Sequence, residues 1–313
     1  MKLEVSIRKQ LGDFALAVEF TTHCGVLGLL GQSGSGKSVT LQCIAGIMSP
    51  DGGRIVLDGQ VLFDSELSIN LPPQKRNIGY LFQHYALFPH WTVEKNLQVI
   101  DKENAFTMLE KLGLEQVRCL LPHQLSGGEK QRVALGRMLL GKPKVVLFDE
   151  PLSALDAHLS WAVEQHLSTI LQELECPVIW VSHDAGEVRR NCANICVLDS
   201  GRSEKIVDTA TLFAHPITLA AARLSGFENV LTSDQSPWDT KGAGIAVRGK
   251  DLCCVQENKN AILCDVAGQY EDLDGRWTVL RPVCGDDQTI LRMKGGAEGQ
   301  RVWLEATQIH HLQ

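Results

Sequence analysis

Gly31-Gln-Ser-Gly-Ser-Gly-Lys-Ser38 is the stretch that decides the fold. It fits G-x-x-x-x-G-K-[ST], a loop whose glycines let backbone N–H groups turn inward around phosphate oxygens. In front of it Val26-Leu-Gly-Leu-Leu30 is a short apolar run that reads as a buried strand. Behind it Leu41, Ile44, Ala45 and Met48 recur at helical spacing, and Pro50-Asp-Gly-Gly53 is expected to end that helix. At ordinary residue frequencies such a pattern arises by chance in about 1% of chains of this size, and in fewer still with the strand and helix in place. The loop therefore predicts a polyphosphate site lined by Gly31, Gln32, Ser33, Gly34, Ser35, Gly36, Lys37, Ser38 and Val39. Lys37 would reach the β- and γ-phosphates, the Ser38 hydroxyl would be a Mg²⁺ ligand, and the helix N-terminus adds partial positive charge.

Outward from the loop, Arg54–Leu57 and Gln60–Phe63 flank Asp58-Gly59, a two-residue hairpin signal, so an antiparallel piece sits beside the buried strand. Lys144–Phe148, Pro177–Val181 and Asn194–Leu198 read as further buried strands, with a helix expected between about 157 and 174. Strands alternating with helices predict an α/β domain around a mainly parallel sheet, with antiparallel β and helical additions. Near Gly226 the character changes. Thr232–Gly244 is polar and turn-rich and reads as a linker. Beyond it, alternating segments at Ile262–Val266, Trp277–Leu280 and Val302–Ala306, punctuated by Asp274-Gly275 and Gly295-Gly296, suit a small all-β barrel. The expected division is 1–228 and 229–313.

Val145-Val-Leu-Phe-Asp149-Glu150 is an apolar strand that delivers two carboxylates at its end. Asp149 would hold Mg²⁺ and Glu150 would orient or deprotonate an attacking water. Alone, such a pair is weak evidence, since about a third of strand-end acidic pairs merely cap the next helix; with the phosphate loop upstream it points to a nucleotide hydrolase. Leu125-Ser-Gly-Gly-Glu-Lys-Gln131 opens another helix, again offering N–H groups and a hydroxyl to an anion. One nucleotide does not need two such helix starts in one chain. The economical reading has Ser126, Gly127 and Gly128 gripping the γ-phosphate held by a second copy, in a head-to-tail homodimer. The plain alternative is an N-cap at Ser126 followed by a glycine turn.

In this order the motifs resemble those of the ABC ATPase family, importer branch. The resemblance implies ATP as substrate. It also implies roles for Gln83 in Tyr80-Leu-Phe-Gln-His84 (Mg²⁺ and γ-phosphate sensing), Asp156 in Ser153-Ala-Leu-Asp156 (between the two sites) and His183 in Trp180-Val-Ser-His-Asp184 (γ-phosphate and water). The family stacks adenine on an aromatic residue near the start, for which Phe14 is the candidate; a core phenylalanine is the other reading. Leu87-Phe-Pro-His-Trp-Thr-Val93 resembles the importer segment that receives a cytoplasmic helix of the membrane subunit. The C-terminal portion resembles the transport-associated OB-like (TOBE) domain. Leu71-Pro-Pro-Gln-Lys-Arg-Asn-Ile-Gly-Tyr80 and Tyr270-Glu-Asp-Leu-Asp-Gly275 resemble the molybdate-type subgroup, with sulfate or thiosulfate next. The implied partners are two integral-membrane permease subunits and, indirectly, a periplasmic or surface oxyanion-binding protein.

Composition agrees. Of the 313 residues 44% are hydrophobic and 21% charged, as in globular domains, and the net charge of −7 argues against nucleic acid as the main partner. No apolar run approaches the roughly 18 residues that cross a bilayer, so the chain is expected at the cytoplasmic face of the membrane, held there by its partners. The ten cysteines form no paired C-x-x-C sets and are expected to be buried, reduced thiols.

Overall fold

In the computed structural model the described residues are 1–153, 164, 167–171, 173–238, 240–283 and 289–313. Most of the helix expected at 157–174, and Asp156, lie outside them. The chain divides into two compact units, Met1–Val207 and Asp208–Gln313.

The first unit is built on one continuous sheet. Strands β1 (Lys2–Leu11) and β2 (Phe14–His23) form an antiparallel hairpin whose Leu3, Val5, Ile7, Leu16, Val18 and Phe20 alternate inward, as a sheet with one solvated face requires. Strand β3 (Gly25–Leu30) runs into the phosphate loop, and α1 (Lys37–Ala45) follows it. That helix ends at Gly46, in the left-handed region with φ 78°, so Met48 lies beyond it. The expected stop at Pro50–Gly53 comes too late, because a glycine in that conformation already closes the last turn. Gly52 and Gly53 instead open β4 (Gly52–Leu57), paired with β5 (Gln60–Asp64) across Asp58 and Gly59, both at positive φ as the tight hairpin needs. After β6 (Ile69–Asn70) come β7 (Ile78–Leu81), the helices α2 (Val93–Gln98), α3 (Ala105–Lys111) and α4 (Gly127–Leu140), and then β8 (Val145–Asp149), β9 (Pro177–Ser182) and β10 (Asn194–Asp199). The parallel core runs β10-β3-β9-β8-β7. Every residue of β8 and β9 is buried, which explains their unbroken apolar runs. Leu27, Leu29, Leu41, Ile44, Leu147, Ile179 and Val181 pack there into the main core.

The second unit opens with two short helices, Thr209–Ala214 and Leu219–Leu224, and then carries two antiparallel sheets, β-strand order Asn229–Thr232, Gly244–Val247, His310–Leu312 in one and five strands between Leu252 and Ala306 in the other, an OB-like all-β portion from residue 229 on. Residues 208–228 sit with this unit rather than with the first, because Ala222 and Phe227 share a small core with Ala246 and Leu312. The presumed linker is also corrected. Thr232 pairs with Gly244, so the polar stretch between them connects two paired strands inside the unit. Among the described cysteines Cys43, Cys176, Cys192, Cys196 and Cys264 are buried as expected, but Cys24, Cys119 and Cys254 are exposed. Among the described residues no helix is long and apolar enough to cross a membrane.

Candidate functional site: a phosphate loop facing two carboxylates and a histidine

The parallel strands aim their C-terminal ends at one place, where open α/β sheets form their sites. At the end of β3 the chain turns through Gly31–Gly36 into α1. Gly36, the N-cap, has φ 102°, and a Cβ there would lie 2.5 Å from Leu16 Cδ1. A Cβ on Gly31 would lie 2.4 Å from the Leu198 carbonyl. Both glycines are thus demanded by space, and Gly36 by its backbone conformation as well. Inside the loop Lys37 is buried, its Nζ donating to the carbonyls of Gly31 and Gln32, each at 2.8 Å. Burial pulls its pKa down, and the charges of Glu150 and Asp149 oppose that. Ser35 Oγ is buried and has no hydrogen-bond partner among the described residues, an orphan hydroxyl within the loop.

Strand β8 brings Asp149 opposite. Its Oδ1 accepts from Ser38 Oγ at 2.7 Å and its Oδ2 from Tyr80 Oη at 2.8 Å. Burial, and then Asp149 itself, holds the Tyr80 phenol far above its usual range, so it stays a donor. Glu150 follows at φ 49°, a region that costs a non-glycine residue about 1–3 kcal/mol and that clusters at functional sites. Its backbone N–H donates to the Val181 carbonyl at 3.1 Å, which fixes the turn. Its Oε1 lies 3.2 Å from His183 Nδ1, at the end of β9.

Lys37, Ser38, Asp149, Glu150 and His183, expected from sequence, are therefore brought together. Gln83 is exposed and makes no bond to Ser38 or Asp149; its Nε2 donates to Ser153 Oγ at 3.3 Å, and that hydroxyl donates to the Glu150 carbonyl at 2.9 Å. It reaches the site through the Glu150 turn. Phe14 is half-buried, and its ring borders the Cβ positions of Gly36 and Gly201 at 3.1 and 3.2 Å. Ser126 caps α4 in a reciprocal box, taking Glu129 N–H at 3.3 Å while Glu129 Oε2 accepts from Ser126 N and Oγ at 2.8 and 2.7 Å. Among the described residues the side-chain bonds of Ser126 go to Glu129, within its own helix start, and none goes to the phosphate loop of the same chain. Asp156 lies outside the described residues.

Tyr80 was missed as a site residue. A hydroxyl in the otherwise apolar strand β7, parallel to β8, was the available signal. The donor set fits a magnesium nucleotide: an ammonium, an orphan hydroxyl and inward N–H groups for phosphates, and a hydroxyl with a carboxylate, hard oxygens of the kind Mg²⁺ takes.

The sequence pattern of the ABC transporter family matches residues 17–153. The chain is 39% identical over 220 residues to the molybdenum import ATP-binding protein ModC of Aliivibrio fischeri, covering 69% of this chain and 60% of that one. It is 38% identical over 234 residues to the ModC of Rhizobium etli, covering 72% and 66%. The match thus spans about three-fifths of the first relative's length. Among solved structures, the dimeric ATP-binding cassette MJ0796 in a post-hydrolysis state with ADP and Pi is similar at 28% identity, with a TM-score of 0.56 over 67% of this chain and 99% of that one. Phosphate loop, strand-end carboxylates, fold and sequence agree: the chain belongs to the ABC transporter family, and its first unit has the ABC ATPase fold.

Proposed function

We propose that the chain hydrolyses ATP to drive an importer for an oxyanion, molybdate or tungstate. The observation that carries the hydrolytic reading is the pairing of Glu150 with His183 at 3.2 Å beside the Lys37, Ser38 and Asp149 cluster. The likeness to molybdenum import proteins supports the substrate. Lys37 exchanges the carbonyls of Gly31 and Gln32 for phosphate oxygens, and Ser35 Oγ donates to the same phosphates. Ser38 and Asp149, with Gln83 as the third candidate, would hold a Mg²⁺ ion that would supply charge neutralisation to the phosphates. Tyr80 and Ser38 keep the Asp149 carboxylate oriented. Glu150 takes the proton of the attacking water, and His183 orients both. Most of the barrier is lowered by positioning and by preorganised charge.

The second half of each site comes from Ser126, Gly127 and Gly128 of another copy, so the working unit is a homodimer. Asp156 passes between the two sites. Its partners are two membrane-embedded permease subunits at the cytoplasmic face and, through them, an external binding protein; nucleic acid is not among them. The second unit is a TOBE domain that steadies the dimer. The test is ATPase activity of the reconstituted complex with binding protein loaded with molybdate, tungstate or sulfate. Stimulation by the first two supports the reading; stimulation by sulfate alone overturns the substrate, and no hydrolysis in any arm overturns the activity.

Phe14 is the base-stacking residue in this reading. Phe14→Ala is expected to weaken ATP binding about tenfold, the size of one base–aromatic stack, with triphosphate itself bound unchanged. Equal affinity of variant and wild type for ATP in a calorimetric titration would return Phe14 to the core.

A further inference from the structure

Two buried groups beside the site have no part in the chemistry above: Glu187 and Ser182, 6% and 1% exposed. Their hydrogen bonds form a ring around His183. Ser182 ends β9; its Oγ donates to Glu187 Oε2 at 2.6 Å and accepts from the Asp184 N–H at 3.0 Å. One hydroxyl thereby grips the chain on both sides of His183. The Asp184 carboxylate accepts from the N–H groups of Gly186 and Glu187, at 2.7 and 3.3 Å, and so caps the helix Ala185–Asn191 that carries Glu187. Glu187 closes the ring, and its other oxygen accepts from Trp180 Nε1 at 2.9 Å. The Trp180 ring meets Phe148 edge-on, centroids 5.2 Å apart, and Phe148 directly precedes Asp149 and Glu150. A buried carboxylate is costly unless its oxygens are satisfied, and here both are.

We propose that Glu187 is a positioning residue for hydrolysis: through Ser182 and Trp180 its carboxylate holds His183 where its Nδ1 meets Glu150. The inference deepens the ATPase reading and rests on it. No atom of Glu187 touches the reacting groups, so its effect belongs to turnover rather than to nucleotide binding. Only the ionised form accepts on both oxygens. Once protonated, the carboxyl must itself donate, and either Ser182 or Trp180 loses its acceptor.

Burial pushes the Glu187 carboxyl up to about 7; the Ser182 and Trp180 bonds work against this, and the charges of Asp184 and Glu164 add to it. The charged and titratable groups facing it are Asp184 from the turn after β9 and Glu164, which Arg190 and Asn191 bind at 2.6–3.1 Å, with Cys192 at the end of its own helix. A carboxyl raised from 4.5 contributes stability below about 4.5 that is lost as pH rises through about 7. Acid therefore favours this part of the fold while loosening the ring. Turnover is expected to fall as pH drops through about 7 without a matching loss of folding stability.

The test is Glu187→Gln in the full chain, with Ser182→Ala as the second variant should the first not fold. The expected result is kcat about tenfold lower with KM for ATP within about twofold, the size of effect that misplacement by a fraction of an ångström produces. The fall in kcat through about pH 7 flattens in the variant, and amide exchange of residues 182–184 speeds up. Wild-type kcat and pH profile in both variants overturn the proposal, as does a loss confined to KM or to melting temperature. Should the wild-type chain not hydrolyse ATP, the ATPase reading fails separately; exchange at 182–184 then decides, faster in Glu187→Gln supporting the ring and unchanged overturning it.

Discussion

Glu150→Gln is expected to bind ATP with wild-type affinity and to turn over on the order of 10² to 10³ times more slowly, the loss typical of removing a positioned general base. Glutamine keeps the size of the side chain, the positive φ of 49° and the backbone bond to Val181, so the loop, Lys37 and Ser38 have no reason to move. What goes is the negative charge. The amide cannot take a proton from water, and it presents a weaker acceptor to His183 Nδ1 at 3.2 Å. The side chain is 22% exposed, open enough to admit water and sheltered enough to orient it. Because ATP would then persist, the variant should also accumulate as a nucleotide-bound dimer. Single-turnover hydrolysis with size-exclusion chromatography in ATP checks both halves. Near-normal hydrolysis removes Glu150 as the base, and a monomer in ATP argues against the paired site.

Arg76→Ala is expected to cost about 3–5 kcal/mol of stability, because it leaves four neutral acceptors without their donor at about 1–3 kcal/mol for each that stays buried and unsatisfied. Arg76 is 1% exposed and its guanidinium donates to neutral acceptors: the Leu71 carbonyl at 2.7 Å, those of Cys43 and Ile44 at 2.9 and 2.7 Å, and Asn70 Oδ1 at 2.8 Å. Two of these are last-turn carbonyls of α1, the helix that starts at the phosphate loop. Arg76 thus satisfies groups the helix leaves open, and its charge suits the negative end of the helix. Gly46 follows from it, since a Cβ there would lie 2.5 Å from Arg76 Nε. Arg76→Lys should recover little, because one ammonium cannot span the four acceptors that a planar fork reaches. Urea unfolding measures the loss. A change under about 1 kcal/mol would mean that water replaces the guanidinium.

Much of the site was legible in the chain because its chemistry is local. The phosphate loop is eight consecutive residues between a strand and a helix, and Asp149-Glu150 sits at the end of an apolar run. The Asp58-Gly59 hairpin rests on two adjacent residues that tolerate positive φ. Where a reading depended on pairing across the chain, it went astray. The polar stretch 232–244 looks like a linker until Thr232 is found opposite Gly244, and the helix after the loop is cut short by Gly46, where the Arg76 guanidinium, thirty positions on, fills the space a side chain would need. Exposed Cys24, Cys119 and Cys254 look buried when judged only by apolar neighbours in sequence.

The sequence by itself therefore determined the α/β class, the phosphate loop and the five side chains, Lys37, Ser38, Asp149, Glu150 and His183, that gather beside it, since those rest on short-range spacing and backbone conformation. Only the tertiary structure decided what holds them. Tyr80 and Ser38 on the two oxygens of Asp149, Ser153 between Gln83 and the Glu150 turn, Arg76 at the far end of α1, and the ring of Ser182, Asp184 and Glu187 around His183 are all contacts over sequence gaps or turns. The physical reason is common to them. A buried polar group must find its partner wherever the packed sheet brings one, and periodicity along the chain carries no record of that choice.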